Sequence, residues 1–250
     1  MAVLEVKNVT FSYDGVFEVI KDINLILRDG ELVSLLGISG GGKTTLFNII
    51  AGLYRPQQGQ ILLDGEDITG QSGKVSYMLQ KDMLLPYRTV VDNVALPLLI
   101  KGMKKKEARK IASDHFKQFG IEGTQKMYPG GLSGGMRQRA ALLRAYLFSA
   151  EVALLDEPFS ALDTLTKSEL HRWYLDMMNN IKLSTLFITH DIDEAILLSD
   201  RIYLLDGKTG TLTDEIVIDE PKPRRKDFNL TDDFLRYKRD IIARIGGAES

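Results

Sequence analysis

The segment Gly37-Ile38-Ser39-Gly40-Gly41-Gly42-Lys43-Thr44-Thr45 has the spacing G-x-x-x-x-G-K-[ST], and its residue types suit one task, holding phosphate. Glycines let backbone N–H groups close around phosphate oxygens because no Cβ stands in the way. A helix that starts at the loop adds unpaired N–H groups and a favourable dipole. In such a loop the lysine, here Lys43, reaches the β- and γ-phosphates, and the hydroxyl of Thr44 ligates Mg²⁺. A glycine-rich turn with an exposed lysine has the same pattern, so context decides. Leu32, Val33, Leu35 and Leu36 predict a buried strand before the loop, and residues 46–51 predict a helix after it. Strand, loop and helix together make a nucleotide-binding loop.

Two further stretches carry chemistry. Val152-Ala153-Leu154-Leu155-Asp156-Glu157 is an apolar run ending in two carboxylates. A buried strand ending there places Asp156 where it can hold Mg²⁺ beside the phosphate loop. Glu157, on the solvent side of the strand end, can orient or deprotonate an attacking water. Leu132-Ser133-Gly134-Gly135-Met136 opens an Ala/Leu-rich helix, with Ser133 as N-cap and Gly134 and Gly135 allowing close backbone approach. That is a second candidate anion site, although taken alone it is equally an ordinary capped helix.

The elements that must position these residues follow from periodicity. Leu4, Val6, Val9 and Phe11, then residues 16–27, predict an antiparallel hairpin broken at Gly15. Short strands are expected at 59–63, 75–79, 186–189, 201–205 and 212–218, besides the two that carry the motifs. Helices are expected at 90–99, 104–119, 133–148, 164–182, 192–198 and 232–245. The predicted fold is α/β, with residues 1–84 and 149–220 as core, a helical insertion over 85–148, and a Pro221/Pro223 linker leading to a terminal helix within 221–250. No internal repeat or low-complexity segment interrupts this plan.

Composition narrows the classes. The chain has 250 residues and a net charge of −2, enough for a large core and unlike a nucleic-acid binder with a basic surface. It has no cysteine, which excludes disulfides, thiolate metal sites and cysteine nucleophiles. Residues 1–14 lack the basic start and apolar stretch of a secretory leader, and no apolar run approaches bilayer length. A soluble intracellular protein is expected, touching a membrane only through a partner.

The order of phosphate loop, Gln80, Leu132-Ser133-Gly134-Gly135-Met136, Asp156-Glu157, Ser160-Ala161-Leu162-Asp163 and Thr189-His190-Asp191 resembles the ATP-binding-cassette (ABC) ATPases over residues 13–207. The resemblance implies a P-loop NTPase core of ABC type, with an N-terminal antiparallel β subdomain and a helical insertion subdomain. It implies that Tyr13 stacks on adenine and that Gln80 contacts Mg²⁺ and water and couples to a membrane subunit. Asp163 would communicate across a dimer, and His190 would contact the γ-phosphate. ATP and Mg²⁺ are the implied cofactors. A homodimer formed on ATP binding and transmembrane permease subunits are the implied partners, with the ATPase peripheral on the cytoplasmic side of the membrane. Met136 departs from the family, which most often has glutamine there. The Pro158-Phe159-Ser160 form and the segment Leu84-Leu85-Pro86-Tyr87-Arg88-Thr89-Val90 are similar to nitrate, sulfonate and taurine importers, where tryptophan often replaces Tyr87. The alternatives are an exporter ATPase or a DNA-repair or translation ATPase; the latter groups carry long insertions or two cassettes per chain.

Overall fold

The computed structural model describes residues 2–247 except 39, 149–150, 161–162, 182, 223 and 226. The predicted hairpin is present as β1 (Ala2–Ser12) and β2 (Glu18–Arg28), antiparallel from Ala2↔Arg28 to Ser12↔Glu18. Alternation is what this pairing requires: Ile23, Leu25 and Leu27 face inward while their neighbours stay exposed or half-buried. The next strand, β3 (Leu32–Gly37), is buried at its first five positions, as expected of a strand covered on both faces. It runs through the loop into α1 (Lys43–Ile50). The helix begins three residues before the predicted 46, because Gly42 takes the N-cap position and Leu46 N–H donates to its carbonyl.

The strands β4 (Gln58–Leu63) and β5 (Glu66–Asp67) complete a four-stranded antiparallel sheet in the order β2-β1-β4-β5. β6 (Ser76–Met78) belongs to a second sheet. After it the described chain is helical or irregular until residue 148. The single helix predicted for 90–99 is two, α2 (Val90–Val94) and α3 (Leu96–Ile100), because Pro97 has no N–H to continue the ladder. The helix predicted for 104–119 is α4 (Lys105–Asp114), which gives way to turns ending at Gly120. Then follow α5 (Gly134–Phe148), β7 (Val152–Asp156), α6 (Thr164–Ile181), β8 (Ser184–Thr189), α7 (Ile192–Leu198), β9 (Arg201–Asp206), β10 (Thr211–Val217) and α8 (Asp232–Gly247).

The six-stranded sheet runs β10-β9-β3-β8-β7-β6, parallel except for β10. Registers Leu35↔Ile188 and Asp156↔Ile188 bring the C-terminal ends of β3, β8 and β7 level. Ligands of open parallel sheets lie at that edge. One apolar core joins α2–α6 to a sheet face through Phe116, Ala140, Leu155 and Tyr174. A second joins α1 and the antiparallel sheet to other sheet residues through Phe47, Leu25 and Val33. No helix among the described residues is long and apolar enough to cross a membrane.

One ion network ties the two sheets. Arg201, 3% exposed, donates to Glu31 Oε1 at 2.5 Å and Oε2 at 2.8 Å, to Glu215 Oε1 at 2.8 Å and to the Ile26 carbonyl at 2.5 Å. Burial, the largest single effect, pushes the Glu31 carboxyl up, but the hydrogen bonds and charges of Arg201 and Arg28 together outweigh it and hold it below its ordinary value. That contribution to stability is therefore present above the unfolded carboxylate pKa and lost as pH falls through the lowered folded one. Arg201→Met leaves the largely buried Glu31 with only Arg28, through the backbone N–H of that residue at 2.8 Å and its Nη1 at 3.3 Å, and is expected to cost about 2–3 kcal/mol. Chemical denaturation measures this; a loss below about 1 kcal/mol, the range of an exposed pair, would disprove the network's role.

Candidate active site

The phosphate loop leaves β3 at Gly37 and enters α1 through Gly42, whose φ of +91° a side chain rarely adopts. Gly41 meets a different constraint: a Cβ there would lie 2.9 Å from Gly207 Cα. Lys43 is not the exposed lysine of a loose turn. It is 5% exposed, and its Nζ donates to the carbonyls of Gly37 at 2.8 Å and Ile38 at 2.7 Å. Burial depresses the pKa of this ammonium, against the pull of the Glu157 and Asp156 carboxylates. Burial likewise raises Asp156, with the Glu157 charge adding to it and the Thr44 hydrogen bond opposing. Thr44 Oγ1 donates to Asp156 Oδ2 at 3.1 Å.

Past β7 the chain turns sharply. Glu157 has φ +45°, a left-handed backbone that costs energy in a residue with a side chain. Its two carboxylate oxygens are shared between distant segments. Gln80 Nε2 donates to Oε2 at 3.0 Å, and His190 Nδ1 lies 3.1 Å from Oε1. An ionised carboxylate only accepts, so His190 Nδ1 carries the proton in this contact. Gln80 follows β6 and His190 follows β8, so the cluster is assembled where neighbouring strands end.

Tyr13, just past β1, sits at the other end. Its hydroxyl lies 2.9 Å from Thr45 Oγ1, and its ring packs edge-on against Phe11 and Tyr54. Between these groups opens a cleft of about 530 Å³, lined by Tyr13, Gly40, Gly42, Lys43, Thr44, Thr45, Gln80 and Glu157, together with Val19. An aromatic wall, a loop of backbone N–H groups, a cation and a carboxylate cluster in that order suit a nucleoside triphosphate laid from base to γ-phosphate.

A family model described as ABC transporter matches residues 20–160, more than half of the chain. This chain belongs to the ABC transporter ATPase family. The cassette is 46% identical to the formylaminopyrimidine import ATP-binding protein ThiZ of Halalkalibacterium halodurans, over 82% of this chain and 80% of that one. It is 36% identical to the nitrate import ATP-binding protein NrtD of a Synechocystis species, over 92% and 89% of the two chains. A dimeric structure of a bacterial ABC transporter cassette matches with a TM-score of 0.74 at 30% identity, covering 87% of this chain and 100% of that one. The cassette binds ATP and is an ATP hydrolase of ABC type.

The remaining sequence-predicted residues stand elsewhere on the cassette. Ser133 caps α5, its hydroxyl accepting from Met136 N–H at 3.2 Å, with Gly134 and Gly135 forming the first turn. Asp163 caps α6 by accepting from Thr166 N–H at 3.1 Å. Neither Asp163 nor Ser133, Gly134 and Gly135 lines the cleft described. Ser39, and Ala161 and Leu162 of the segment before Asp163, lie outside the described residues. Sequence reasoning missed Val19, a strand residue with no chemical signature. It also missed Arg144 on α5, which donates to the carbonyls of Asp82 at 2.5 Å and Met83 at 2.8 Å, just beyond Gln80. Its helical spacing of seven from Arg137, which pairs with Asp82 at 3.3 Å, was the available signal.

Proposed function

We propose that the cassette energises an ABC importer of a small solute such as nitrate, a sulfonate or taurine, by binding and hydrolysing MgATP between two copies of itself. The observation that carries the catalytic part is the Gln80–Glu157–His190 cluster at the mouth of the phosphate cleft. The importer direction is supported by the likeness to import ATP-binding proteins, whose printed substrates are formylaminopyrimidine and nitrate. Thr44 and Asp156 bring two hard oxygen donors within 3.1 Å, a donor set that suits Mg²⁺. Bound there with Gln80 nearby, the ion would neutralise phosphate charge during transfer. Lys43 would hold the β- and γ-phosphates, the loop N–H groups of residues 37–45 would cradle them, and Tyr13 would stack on the adenine. Glu157 would accept the proton of the attacking water, and His190 would contact the γ-phosphate.

Ser133, Gly134 and Gly135 would complete the site of the opposite copy, which a two-fold axis permits for both sites at once. Asp163 would serve the communication between them. In this reading residues 85–148 act as the helical insertion unit that receives the permease, and the cassette stays peripheral on the cytoplasmic side.

Of Met83, Leu84, Leu85 and Tyr87, the apolar residues that follow Gln80, only part is open to a partner. Leu84 is buried and Leu85 half-buried as local core, while Met83 and Tyr87 are exposed. An apolar groove of about 320 Å³ lies between β6, α3 and α5, where Leu53, Tyr77, Pro97, Ile100 and Phe148 line it beside Arg144. A short apolar helix of the permease would fit there, and Arg144 joins the groove to the segment after Gln80. Leu53→Glu with Ile100→Glu, at positions 57% and 73% exposed, is expected to leave ATPase of the isolated cassette intact. Co-purification of permease from detergent extracts, and uptake of labelled solute, should both be lost. Wild-type recovery of the permease would move the docking surface elsewhere.

A further inference from the structure

The geometry points to His171 as a positioning residue that sets the alignment of Glu157 with His190. His171 lies on α6, 6% exposed, away from the cleft. Its Nε2 is 2.9 Å from Glu194 Oε1, and Glu194 is itself only 4% exposed. Since the carboxylate can only accept, Nε2–H is the donor. The other oxygen of Glu194 accepts from the hydroxyl of Thr189, the residue before His190. That same hydroxyl receives Asp191 N–H at 3.0 Å, so it fixes the backbone on both sides of His190. Lys167, one helical turn before His171, adds a 2.6 Å ion pair to Asp191 Oδ2. Two side chains of α6 therefore grip the corner that presents His190.

The His171 ring also touches the carboxylate segment. Phe159, two residues after Glu157, packs edge-on against it, with ring centres 4.7 Å apart and planes at 84°. The preceding Pro158 carbonyl accepts from Gln138 of α5, which holds that turn against the helix opened by Ser133. His171 is thus wedged between the two chain segments whose side chains meet at 3.1 Å in the cluster. The sheet holds the two backbones together as far as the bond from Glu157 N–H to the Ile188 carbonyl at 3.1 Å. Glu157 and His190 lie one residue past their strand ends, where the ladder does not set the side-chain orientation.

An ordinary buried pair would stabilise the fold and do no more. A pair that sets catalytic alignment predicts a loss in kcat with little change in KM, since nucleotide binding uses the phosphate loop. The inference rests on the reading of Glu157 as base. His171→Leu keeps apolar volume and removes the donor; His171→Gln restores an amide N–H at about the reach of imidazole Nε2. On the wild-type background His171→Leu is expected to lower kcat by between about 10-fold and about 100-fold, with KM for ATP within about twofold, and His171→Gln to recover most of it. In a Glu157→Gln background, the same His171→Leu change should lower the residual rate by less than about twofold, because the group it aligns is gone.

Thr189→Val, which deletes only the hydroxyl link, should lower kcat in the same way and decides the matter if His171→Leu does not fold. Wild-type kcat in folded His171→Leu or Thr189→Val, or an equal loss in both backgrounds, would overturn the positioning role. Wild-type turnover of Glu157→Gln would instead remove the reading beneath it, which keeps the two failures distinct.

Discussion

Glu157→Gln is expected to lower ATP turnover by roughly 10²–10⁴ while ATP affinity stays near wild type. The amide keeps the size of the carboxylate and its oxygen can still accept from Gln80 Nε2, now 3.0 Å from Glu157 Oε2. It cannot take a proton from water, so the step that lets the dimer reopen is lost. The left-handed backbone at this position is as tolerable to glutamine as to glutamate, which makes a folding defect a poor explanation of the loss. Since the γ-phosphate persists, the ATP-bound dimer should accumulate. Turnover is measured in a single-turnover assay, and dimer by size-exclusion with light scattering in MgATP. Only monomer, at concentrations well above the nucleotide affinity, would sink the two-copy site for this variant.

Mixing two inactive variants should restore activity. On the proposed two-copy site, Lys43→Ala should damage the phosphate loop of its own chain, and Ser133→Arg the site that Ser133 would complete in the opposite copy. In an equimolar mixture half of the dimers are mixed. Each of these has one intact site, built from Lys43 of the Ser133→Arg chain and Ser133 of the Lys43→Ala chain. If sites act independently, about a quarter of wild-type activity returns. Both variants need a stability check first, because Lys43 is buried with two hydrogen bonds and Ser133 is a helix cap whose loss costs about 1 kcal/mol. Activity of the mixture no higher than either variant alone would refute the shared site, as would full activity of Ser133→Arg by itself.

Legibility in the sequence tracks how local each signal is. The phosphate loop, the strand ending at Asp156 and the Ser133 cap were all readable, because each is a run of neighbouring residues whose backbone conformation their own side chains dictate. Gly42 must be glycine for a reason contained in its own φ angle. The run 152–156 is apolar throughout because a parallel strand is covered on both faces. The helix break at Pro97 is also local, since its missing N–H outranks the apolar spacing around it.

Distance in sequence is where reading stopped. Gln80 and Glu157 are 77 positions apart, and Glu157 and His190 are 33; the sequence pattern pointed to Glu157 from its place at a strand end and to Gln80 and His190 through family likeness, but could not bring them into contact. Their meeting depends on β6, β7 and β8 lying side by side with their ends level, a property of sheet register. The burial of Lys43, the apolar groove beside Arg144, and the grip of His171 on Glu194 are decided the same way. A side chain's type states what it can donate or accept, but only packing of remote elements sets the partner and excludes the water that would otherwise compete for it.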